Sequence, residues 1–452
     1  MPMMDRKPIT AEDIELADSS FFSNAAHRVA KNAVTSQGIE KVSKVPEAMA
    51  RMHSSFDIEV KQGKPTNQKQ SGRCWMFAAL NVMRASMMGR HNLENFEFSQ
   101  AFPLFYDKLE KSNWFLWDII DTVDQPLDSR LVSFLLKDPV TDGGQWDMFK
   151  SLLTKYGAVP KEAMPETACS EKTREMNSYL KRYLRSCAKD LRLSHSNGVD
   201  IVRLDQMRRD MLVNVQHMLT TCLGQPPHEF EVHLKDKGDR IILSGKYSPK
   251  SFLEQTIGFD LDDYVSVVSA PSPDKPFNCV YTVDRLGNVV EAGGVRYLNL
   301  APMEFKRVAL EQLRGGLPVW FGCDVTQSYL DEDGVLGLDT IDIDGLFGFP
   351  IMKGFNKSER LQYGESLMTH AMAIVGVNLD ANGDPIEWKV ENSWGKDHGR
   401  EGCEVMSDSW FDEYVYQVVV DKRCLTSAEL DLFENAEPMH LAPWDPLGAL
   451  AL

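Results

Sequence analysis

The spacing of apolar residues along the chain changes character near residue 256. Before that point apolar side chains recur every three or four residues, which predicts amphipathic helices. After it, short runs rich in Val, Ile, Tyr, Phe and Trp are bounded by Gly, Asp, Asn or Pro, which predicts strands. A helical half followed by a strand half predicts an α+β protein with two lobes. Ligand sites form preferentially in the cleft between such units.

The helical half divides into three segments. Residues 1–58 form an N-terminal extension with one or two helices, 59–170 a helical lobe, and 171–255 a helical arm that is punctuated by "GQPPHEF" (224–230). Within these segments, helices are predicted after Cys74 and over 102–109, 131–136, 146–155, 172–193 and 202–219.

The strand half comprises a β-rich lobe and a terminal arm. The lobe, 256–430, is predicted to place strands within 264–271, 277–284, 289–300, 318–325, 370–379 and 386–394. The final stretch, 431–452, contains three prolines and no Lys or Arg. It is predicted to be an extended arm rather than a helix.

Composition is that of an ordinary globular protein. Of the 452 residues, 43% are hydrophobic and 25% charged, and no apolar run reaches the 18 or more residues of a membrane helix. The N-terminus lacks the apolar stretch of a secretion signal. The eight cysteines include no C-x-x-C pair and read as reduced thiols. A soluble, cytoplasmic protein without contact to membranes is therefore expected.

The formal charge of −17 argues against binding of a phosphate backbone as the main activity. The charge is uneven, because residues 171–222 carry ten Lys or Arg against six Asp or Glu. Two readings of this basic stretch stay open, a solvated helical face or a nucleic-acid surface.

Cys74 lies within "NQKQSGRCWMFAALNVMR" (67–84), at the boundary between a polar, glycine-containing segment and a predicted buried helix. The unsatisfied N–H groups at a helix N-terminus favour the thiolate, which is the nucleophilic form. On composition alone, a buried free cysteine is more often a packing residue. If Cys74 performs acyl transfer, its own N–H and the side chain of Gln68, six residues upstream, can supply the oxyanion donors.

The partners of a nucleophilic cysteine can be found in two later segments. His370 opens the apolar strand of "THAMAIVGV", so its ring can project at a strand end. Asn392 ends another strand in "WKVENSWG", where its side-chain oxygen can hold one imidazole nitrogen and Trp394 can shield that bond. A lone strand-end histidine is usually structural, but the three segments together indicate a Cys-His-Asn site.

A zinc hydrolase is a competing interpretation, suggested by "HEFEVH" at 228–233. In H-E-x-x-H, both histidines share one helix face. Here His228 and His233 are five residues apart, after two prolines, in a stretch typical of a strand. The sequence therefore predicts no metal site and no cofactor.

The three segments resemble the active-site segments of papain-like cysteine proteases. "QKQSGRCW" has the Gln six residues before the Cys and the Gly-x-Cys-Trp pattern, and "THAMAIVGV" and "ENSWG" follow in the order of that family. The resemblance implies that Cys74 is the nucleophile, His370 the general base and then acid, Asn392 its orienting partner, and Gln68 the oxyanion donor.

Two departures from papain itself narrow the resemblance. Ser71 stands where papain-type enzymes have a disulfide-bonded cysteine, and Cys74 and His370 are about 300 residues apart, against roughly 130–150 in secreted papain-like enzymes. With "DGGQWDM" (142–148), "PVWFGCDV" (318–325) and "PWDPLGALA" (443–451), the chain is similar from about residue 50 onward to the bleomycin hydrolase and aminopeptidase C family. The residues that lengthen the Cys-to-His separation relative to secreted papain-like enzymes are expected in the arm at 171–255.

This resemblance implies a homohexamer that removes N-terminal residues from peptides. It also implies that the arm at 431–452 lies in its own active-site cleft, where the carboxylate of Leu452 would pair with the α-ammonium of a substrate. A frayed terminus is the other reading of this arm. Gly143 and Gly144 resemble the paired glycines that approach a substrate backbone, although a plain turn explains them as well.

Other activities stay open on the same residues. A papain-like endopeptidase would differ by having no arm that blocks one side of the cleft. An inactive scaffold, or a protein that binds nucleic acid through the basic stretch, would not need an intact set of Gln68, Cys74, His370 and Asn392.

Overall fold

The computed structural model describes residues 6–451. Its helices are α1 (Ala11–Ser23), α2 (Ala25–Gln37), α3 (Ile39–Ser43), α4 (Pro46–Met49), α5 (Cys74–His91), α6 (Ala101–Asp121), α7 (Arg130–Lys137), α8 (Trp146–Tyr156), α9 (Ala168–Glu171), α10 (Arg174–Ser196), α11 (Ile201–Leu223), α12 (Pro249–Phe252), α13 (Pro302–Arg314), α14 (Ile343–Phe347), α15 (Lys357–Tyr363), α16 (Asp408–Tyr414) and α17 (Ser427–Asn435).

The strands follow mainly in the second half. They are β1 (Ile58–Glu59), β2 (Phe230–Lys235), β3 (Ile241–Tyr247), β4 (Tyr264–Val268), β5 (Cys279–Val283), β6 (Tyr297–Asn299), β7 (Val319–Cys323), β8 (Tyr329–Leu330), β9 (Val335–Leu336), β10 (His370–Leu379), β11 (Pro385–Glu391), β12 (Cys403–Ser407), β13 (Val415–Asp421) and β14 (Met439–Leu441). The α+β class predicted from the sequence is confirmed.

Helix α5 is the centre of the helical lobe. Every residue from Cys74 to Arg84 is buried, so this helix is surrounded on all sides, as its unbroken apolar run predicts. Helices α6 and α8 share its core, and α5 packs directly against strand β10 of the other lobe. The first turn of α5 therefore lies at the junction of the two lobes.

The β-rich lobe is built on one large sheet. Its strand order is β14-β5-β6-β4-β13-β7-β10-β11-β12-β9-β8, with β1 also paired to β10. Strand β10 lies in the interior, antiparallel to β7 and β11, with His370 opposite Cys323. Its residues 370–378 are buried in succession, because both faces of the strand are covered.

The arm at 171–255 is helical only in its first part. Helices α10 and α11 confirm the predicted amphipathic pair, and both pack on α6. The arm then forms an antiparallel hairpin of β2 and β3, with Phe230 opposite Tyr247. The prediction of a helical arm up to residue 255 was therefore wrong for this part. Two prolines, Pro226 and Pro227, follow the end of α11, and alternating burial in β2 then favours strand.

Two further predictions are corrected by the fold. The extension at 1–58 has more than the predicted one or two helices, because α3 and α4 follow α1 and α2, and Gly38 (φ 85°) separates α2 from α3. The predicted strand at 289–300 is limited to β6. A 3-10 turn occupies Val290–Ala292, and Gly293 adopts φ 78°, a left-handed conformation that breaks a strand.

The arm at 431–452 is not uniformly extended, which corrects a third prediction. Helix α17 continues to Asn435, β14 pairs in parallel with β5, and Pro446–Ala451 form a 3-10 helix. The carboxylate of Asp445 accepts the N–H of Leu447 at 3.0 Å, which caps this last helix. Proline in a first helical turn is well tolerated, so Pro446 does not prevent it.

Bilayer-spanning segments are not found in the described range. Between residues 6 and 451, no helix has both the length and the apolar character needed to cross a membrane. All eight cysteines lie in this range as unpaired thiols, as predicted.

Candidate active site

The nucleophile candidate Cys74 is the first residue of α5, and the preceding residue fixes its position. Arg73 is fully buried, and its guanidinium makes a two-bond ion pair with Glu166, with N–O distances of 3.0 and 2.9 Å. Its Nε also donates to the hydroxyl of Ser71 at 2.9 Å. Paired Arg–carboxylate bonds are among the strongest polar contacts, so the turn before the helix is held rigidly.

His370 is the first residue of β10, where the sequence pattern predicts a ring at a strand end. Its Nε2 lies 2.9 Å from Oδ1 of Asn392, which directly follows β11. Because an amide oxygen only accepts, Nε2 carries the proton in this bond and Nδ1 is left to take the proton of a thiol. The ring of Trp394 covers the imidazole, with centroids 4.8 Å apart.

Strand β10 brings His370 to the first turn of α5. The main-chain N–H of Ala371, the residue after His370, lies close enough to the thiol of Cys74 to lower its pKa. Burial raises the pKa of Cys74 to about 11, although the N–H groups of Ala371 and Trp75 act in the opposite direction. Burial likewise lowers the pKa of His370 to about 4 against the effect of Asn392. Burial therefore favours the neutral form of both groups.

Gln68 is locked on both sides of its amide. Its Nε2 donates to the carbonyl of Ser71 at 2.7 Å, and its Oε1 accepts from the hydroxyl of Ser393 at 2.6 Å. One hydrogen of Nε2 stays available for a further acceptor. Because the main-chain N–H of Gln68 also donates to the carbonyl of Ser393, at 2.7 Å, the segment before Cys74 is joined to the segment after Asn392.

The two glycines have different surroundings. A Cβ added to Gly143 would lie 2.2 Å from the carbonyl oxygen of Leu450 and 3.1 Å from the main chain of Ala451. A Cβ on Gly144 would instead meet the indole of Trp75 at 2.5 Å. Gly143 therefore allows the close approach of another backbone, whereas Gly144 allows the packing of Trp75.

The backbone beside Gly143 belongs to the last helical turn of the chain. Leu447, Leu450 and Ala451 are buried, and the carbonyl of Ala451 accepts the hydroxyl of Thr141 at 2.5 Å. Leu450 also reaches β7, with its Cδ2 3.6 Å from the position of a Cβ on Gly322. The last described turn of the arm, residues 447–451, is thus packed between the lobes rather than frayed. Leu452, predicted to bind the substrate ammonium, lies outside the described residues.

Several cations of the basic stretch at 171–222 make contacts with other parts of the same chain. Arg185 and Arg192 donate to main-chain carbonyls at the ends of α7 and α6, and Lys181 pairs with Asp138 at 2.5 Å. Such contacts are those of a structural helical face. His233 lies in strand β2, as predicted, and its Nδ1 contacts the hydroxyl of Ser244 at 3.3 Å.

Sequence reasoning missed three side chains that support the site. They are Arg73 before the nucleophile, Ser393 beside the amide of Gln68, and Glu404 of β12, whose Oε1 accepts Nδ2 of Asn392 at 2.6 Å. The letters "GRCW" and "ENSW" contain the first two, but only the fold shows their partners. Glu404 has no local signal, since its role depends on the pairing of β11 with β12.

Comparison with known proteins identifies the family of the chain. The model of the Peptidase C1-like family matches residues 8–448. Aminopeptidase C of Streptococcus thermophilus is 45% identical over 433 residues, which cover 96% of this chain and 97% of that protein. Bleomycin hydrolase of Rattus norvegicus is 38% identical over 459 residues, which cover 99% of this chain and all (100%) of that protein.

A solved structure extends the comparison to three dimensions. The crystal structure of PepW from Lactobacillus rhamnosis HN001 matches with a TM-score of 0.95 and 43% identity, covering 98% of this chain and 99% of that one. The predicted papain-like fold class and the resemblance to the bleomycin hydrolase and aminopeptidase C proteins are confirmed. The chain therefore belongs to the Peptidase C1-like family.

Proposed function

We propose that this chain is a cysteine aminopeptidase in which Cys74, His370, Asn392 and Gln68 form the catalytic site. The observation that carries the proposal is the contact of β10 with the first turn of α5. It places Cys74 beside the main chain at Ala371, next to His370, whose Nδ1 is left to take the thiol proton because Nε2 is bonded to Asn392. Family membership adds peptides as the substrate class.

The reaction begins with transfer of the thiol proton of Cys74 to Nδ1 of His370. The thiolate attacks the carbonyl carbon of the first peptide bond, and the developing oxyanion accepts from Nε2 of Gln68 and the N–H of Cys74. The imidazolium then gives its proton to the leaving amine, and the C–N bond breaks to leave a thioester on Cys74.

Water completes the cycle. His370 takes a proton from a water molecule while the oxygen of that water attacks the thioester carbonyl. The C–S bond then breaks, which releases the thiolate of Cys74 and the free amino acid. Asn392 holds Nε2–H of His370 throughout, so Nδ1 alone exchanges protons. The reaction as written uses no metal ion and no cofactor.

The position of the last turn of the chain is evidence that residues are removed from the N-terminal end of a peptide. Residues 447–451 are packed beside Gly143, and they take up room that a longer peptide would need on that side. A peptide whose first residue lies next to this turn can still present its first amide bond to Cys74. This arrangement favours an aminopeptidase over the papain-like endopeptidase that the sequence left open.

A groove next to Gly72 is proposed to receive the side chain that is removed. It encloses about 500 Å³ and is lined by Ser71, Gly72, Asp142, Arg174 and Lys181, among others. Asp142 is already bound by Lys108 at 2.5 Å and Asn177 at 2.7 Å. The groove is polar and of mixed charge, so polar first residues are its expected occupants.

The state and location of the protein are also proposals. We expect a homohexamer in the cytoplasm, and we do not expect nucleic acid as a main partner. Unpaired cysteines fit a reducing compartment. Exposed apolar side chains on the N-terminal helices, including Leu16, Phe22 and Val29, suit contacts between subunits. Light scattering after size-exclusion chromatography measures the number of chains.

The function is tested with two aminoacyl reporters, one with a free amine and one with an N-acetyl group. We expect rapid hydrolysis of the free-amine reporter, weak hydrolysis of the acetylated one, and loss of both after treatment with iodoacetamide. Cys74→Ala should be inactive with an unchanged circular dichroism spectrum. Full activity of Cys74→Ala would disprove the assignment, and equal hydrolysis of both reporters would indicate an endopeptidase instead.

A further inference from the structure

Glu404 lies behind the amide of Asn392, out of reach of any substrate. It belongs to β12 and is 1% exposed, and its Oε1 accepts Nδ2 of Asn392 at 2.6 Å and the hydroxyl of Tyr329 at 2.8 Å. Its other oxygen, Oε2, is buried without a hydrogen-bond partner among residues 6–451. A buried carboxyl group with one unused oxygen is costly, so its presence needs a cause.

The sheet explains how Glu404 reaches this position. Strand β12 is antiparallel to β11, with Glu404 opposite Val390. Side chains two residues apart in a strand share a face, so Asn392 is the diagonal neighbour of Glu404 on that face. The contact is therefore fixed by strand register and not by a mobile loop.

We propose that Glu404 is a positioning residue, which sets the orientation of the Asn392 amide and through it the tautomer of His370. The proposal rests on the proposed function above. A side-chain amide can be rotated by 180° with little change in shape. The carboxyl oxygen of Glu404 accepts, so Nδ2 must face it and Oδ1 must face His370.

The opposite orientation would disable the site. If Nδ2 of Asn392 faced Nε2 of His370, two donors would meet, and the imidazole proton would have to move to Nδ1. Nδ1 could then no longer accept the proton of Cys74. A group that excludes this state therefore favours the reactive tautomer in every cycle.

Glu404 also supplies charge to the site. Burial raises the pKa of Glu404 to about 7, although its hydrogen bonds with Asn392 and Tyr329 act in the opposite direction. The other charged groups nearby are Asp331 and His398. Near neutral pH the group therefore changes from the acid to the carboxylate. The carboxylate stabilises the imidazolium of His370, because opposite charges within a buried site attract strongly.

A second buried pair in the same sheet provides a matched control. Glu387 of β11 is 6% exposed, and its Oε2 accepts Nδ2 of Asn378 at 3.2 Å. It is bonded also to His53 and has no contact with the catalytic residues in the described hydrogen bonds. Glu387→Gln should therefore affect stability to a similar extent as Glu404→Gln and leave kcat unchanged.

The experiment measures kcat, KM and pH profiles for Glu404→Gln and Glu404→Ala on the free-amine reporter. We expect Glu404→Ala to lower kcat about 10- to 100-fold with KM nearly unchanged, as when other orienting groups behind a functional side chain are removed. Glu404→Gln keeps the shape and an accepting oxygen, so a smaller loss is expected. Loss of its charge destabilises the imidazolium, so it should move the acidic limb of kcat/KM, which His370 governs, to lower pH by about half a unit.

A double-mutant cycle separates positioning from general support. If Glu404 positions His370 through Asn392, Glu404→Gln should cause no further loss of kcat on the pH plateau in an Asn392→Ala background, and only the shift of the pH profile that its charge causes should remain. Additive losses of kcat in the double variant would overturn the proposal. It would also be overturned if both Glu404 variants kept the wild-type kcat and pH profile, or if Glu387→Gln lost as much kcat as Glu404→Gln. Cys74→Ala is measured in the same assay. If it were active, the proposed function would fail, irrespective of the result for Glu404.

Discussion

Oδ1 of Asn392 lies 2.9 Å from Nε2 of His370, although the two residues are 22 positions apart in the chain. His370 begins β10, and Asn392 directly follows the adjacent strand β11. The thiol of Cys74, in contrast, belongs to helix α5 of the other lobe. The site therefore depends on how the lobes close. Its protonation state depends on what covers the cleft, because burial raises the pKa of Cys74 and lowers that of His370.

Removal of residues 446–452 should make Cys74 more reactive at neutral pH. Burial raises the pKa of Cys74 to about 11, and opening the cleft to water should lower it. Below the pKa, the thiolate fraction rises about tenfold for each unit by which the pKa falls. The rate of iodoacetamide inactivation between pH 6 and 8 should therefore rise at least about tenfold in the truncated protein.

The same experiment needs a check on which cysteine reacts. Mass spectrometry of a Cys74→Ala protein, with and without the truncation, reports alkylation at the other seven cysteines. An unchanged inactivation rate at pH 7 in the truncated protein would show that the last turn does not control the ionisation of Cys74.

The truncation should also change the choice of substrate. Leu447, Leu450 and Ala451 fill the space beside Gly143, and their removal opens one side of the cleft. We expect hydrolysis of the N-acetylated reporter to increase about tenfold, which corresponds to about 1.4 kcal/mol of barrier. A strict preference for the free amine after truncation would contradict steric exclusion by this segment.

The sequence suggested Cys74, His370 and Asn392 as candidate catalytic residues because each one lies at the boundary of a regular element. Cys74 begins a helix, His370 begins a strand, and Asn392 follows another, and such boundaries are visible in the polar and apolar pattern. The α+β class could also be predicted from the pattern, because the spacing of apolar residues changes near residue 256.

The supporting residues could not be predicted, because their positions depend on pairing between distant segments. Glu404 reaches Asn392 through the register of β11 and β12, and Ser393 meets Gln68 across more than 300 positions. Helix α13 and strand β13 in the strand half were missed as well. Both do carry a local signal, because α13 begins at Pro302 with apolar residues at helical spacing and β13 is a Val-rich run, so they could have been predicted.

Ser393→Ala should reduce kcat by loosening Gln68. The hydroxyl of Ser393 donates to Oε1 of Gln68 at 2.6 Å and so holds Nε2 on the opposite side. Loss of a complete oxyanion donor costs about 10²- to 10³-fold in kcat, so loss of its orienting bond should cost about 5- to 20-fold. Steady-state kinetics on the free-amine reporter measure this loss, with KM expected to change little.

Gln68→Ala provides the background that tests this explanation. Once the donor is absent, Ser393→Ala should have no additional effect on kcat. A further loss of similar size in Gln68→Ala would mean that Ser393 acts on another part of the site.

Gly143→Ala should displace the last turn of the chain from the cleft. The added Cβ would lie 2.2 Å from the carbonyl oxygen of Leu450, a backbone atom that cannot move without the whole turn. We expect a lower Tm and a higher ratio of acetylated to free-amine hydrolysis, in the same direction as the truncation. Gly89→Ala is the matched control, because nothing lies within 4 Å of its added Cβ and alanine is favoured in a helix by about 1 kcal/mol.

Combining Gly143→Ala with removal of residues 446–452 identifies the cause of the effect. If the clash with Leu450 is the reason, the substitution should change neither the Tm nor the reporter ratio in the truncated protein, because its collision partner is gone. A wild-type reporter ratio in full-length Gly143→Ala would instead mean that the loop at 141–145 yields and the turn stays in place. Lys111 opposes that movement, since its buried ammonium donates to the carbonyl of Gly143 at 2.5 Å, and shifting the loop would break this bond.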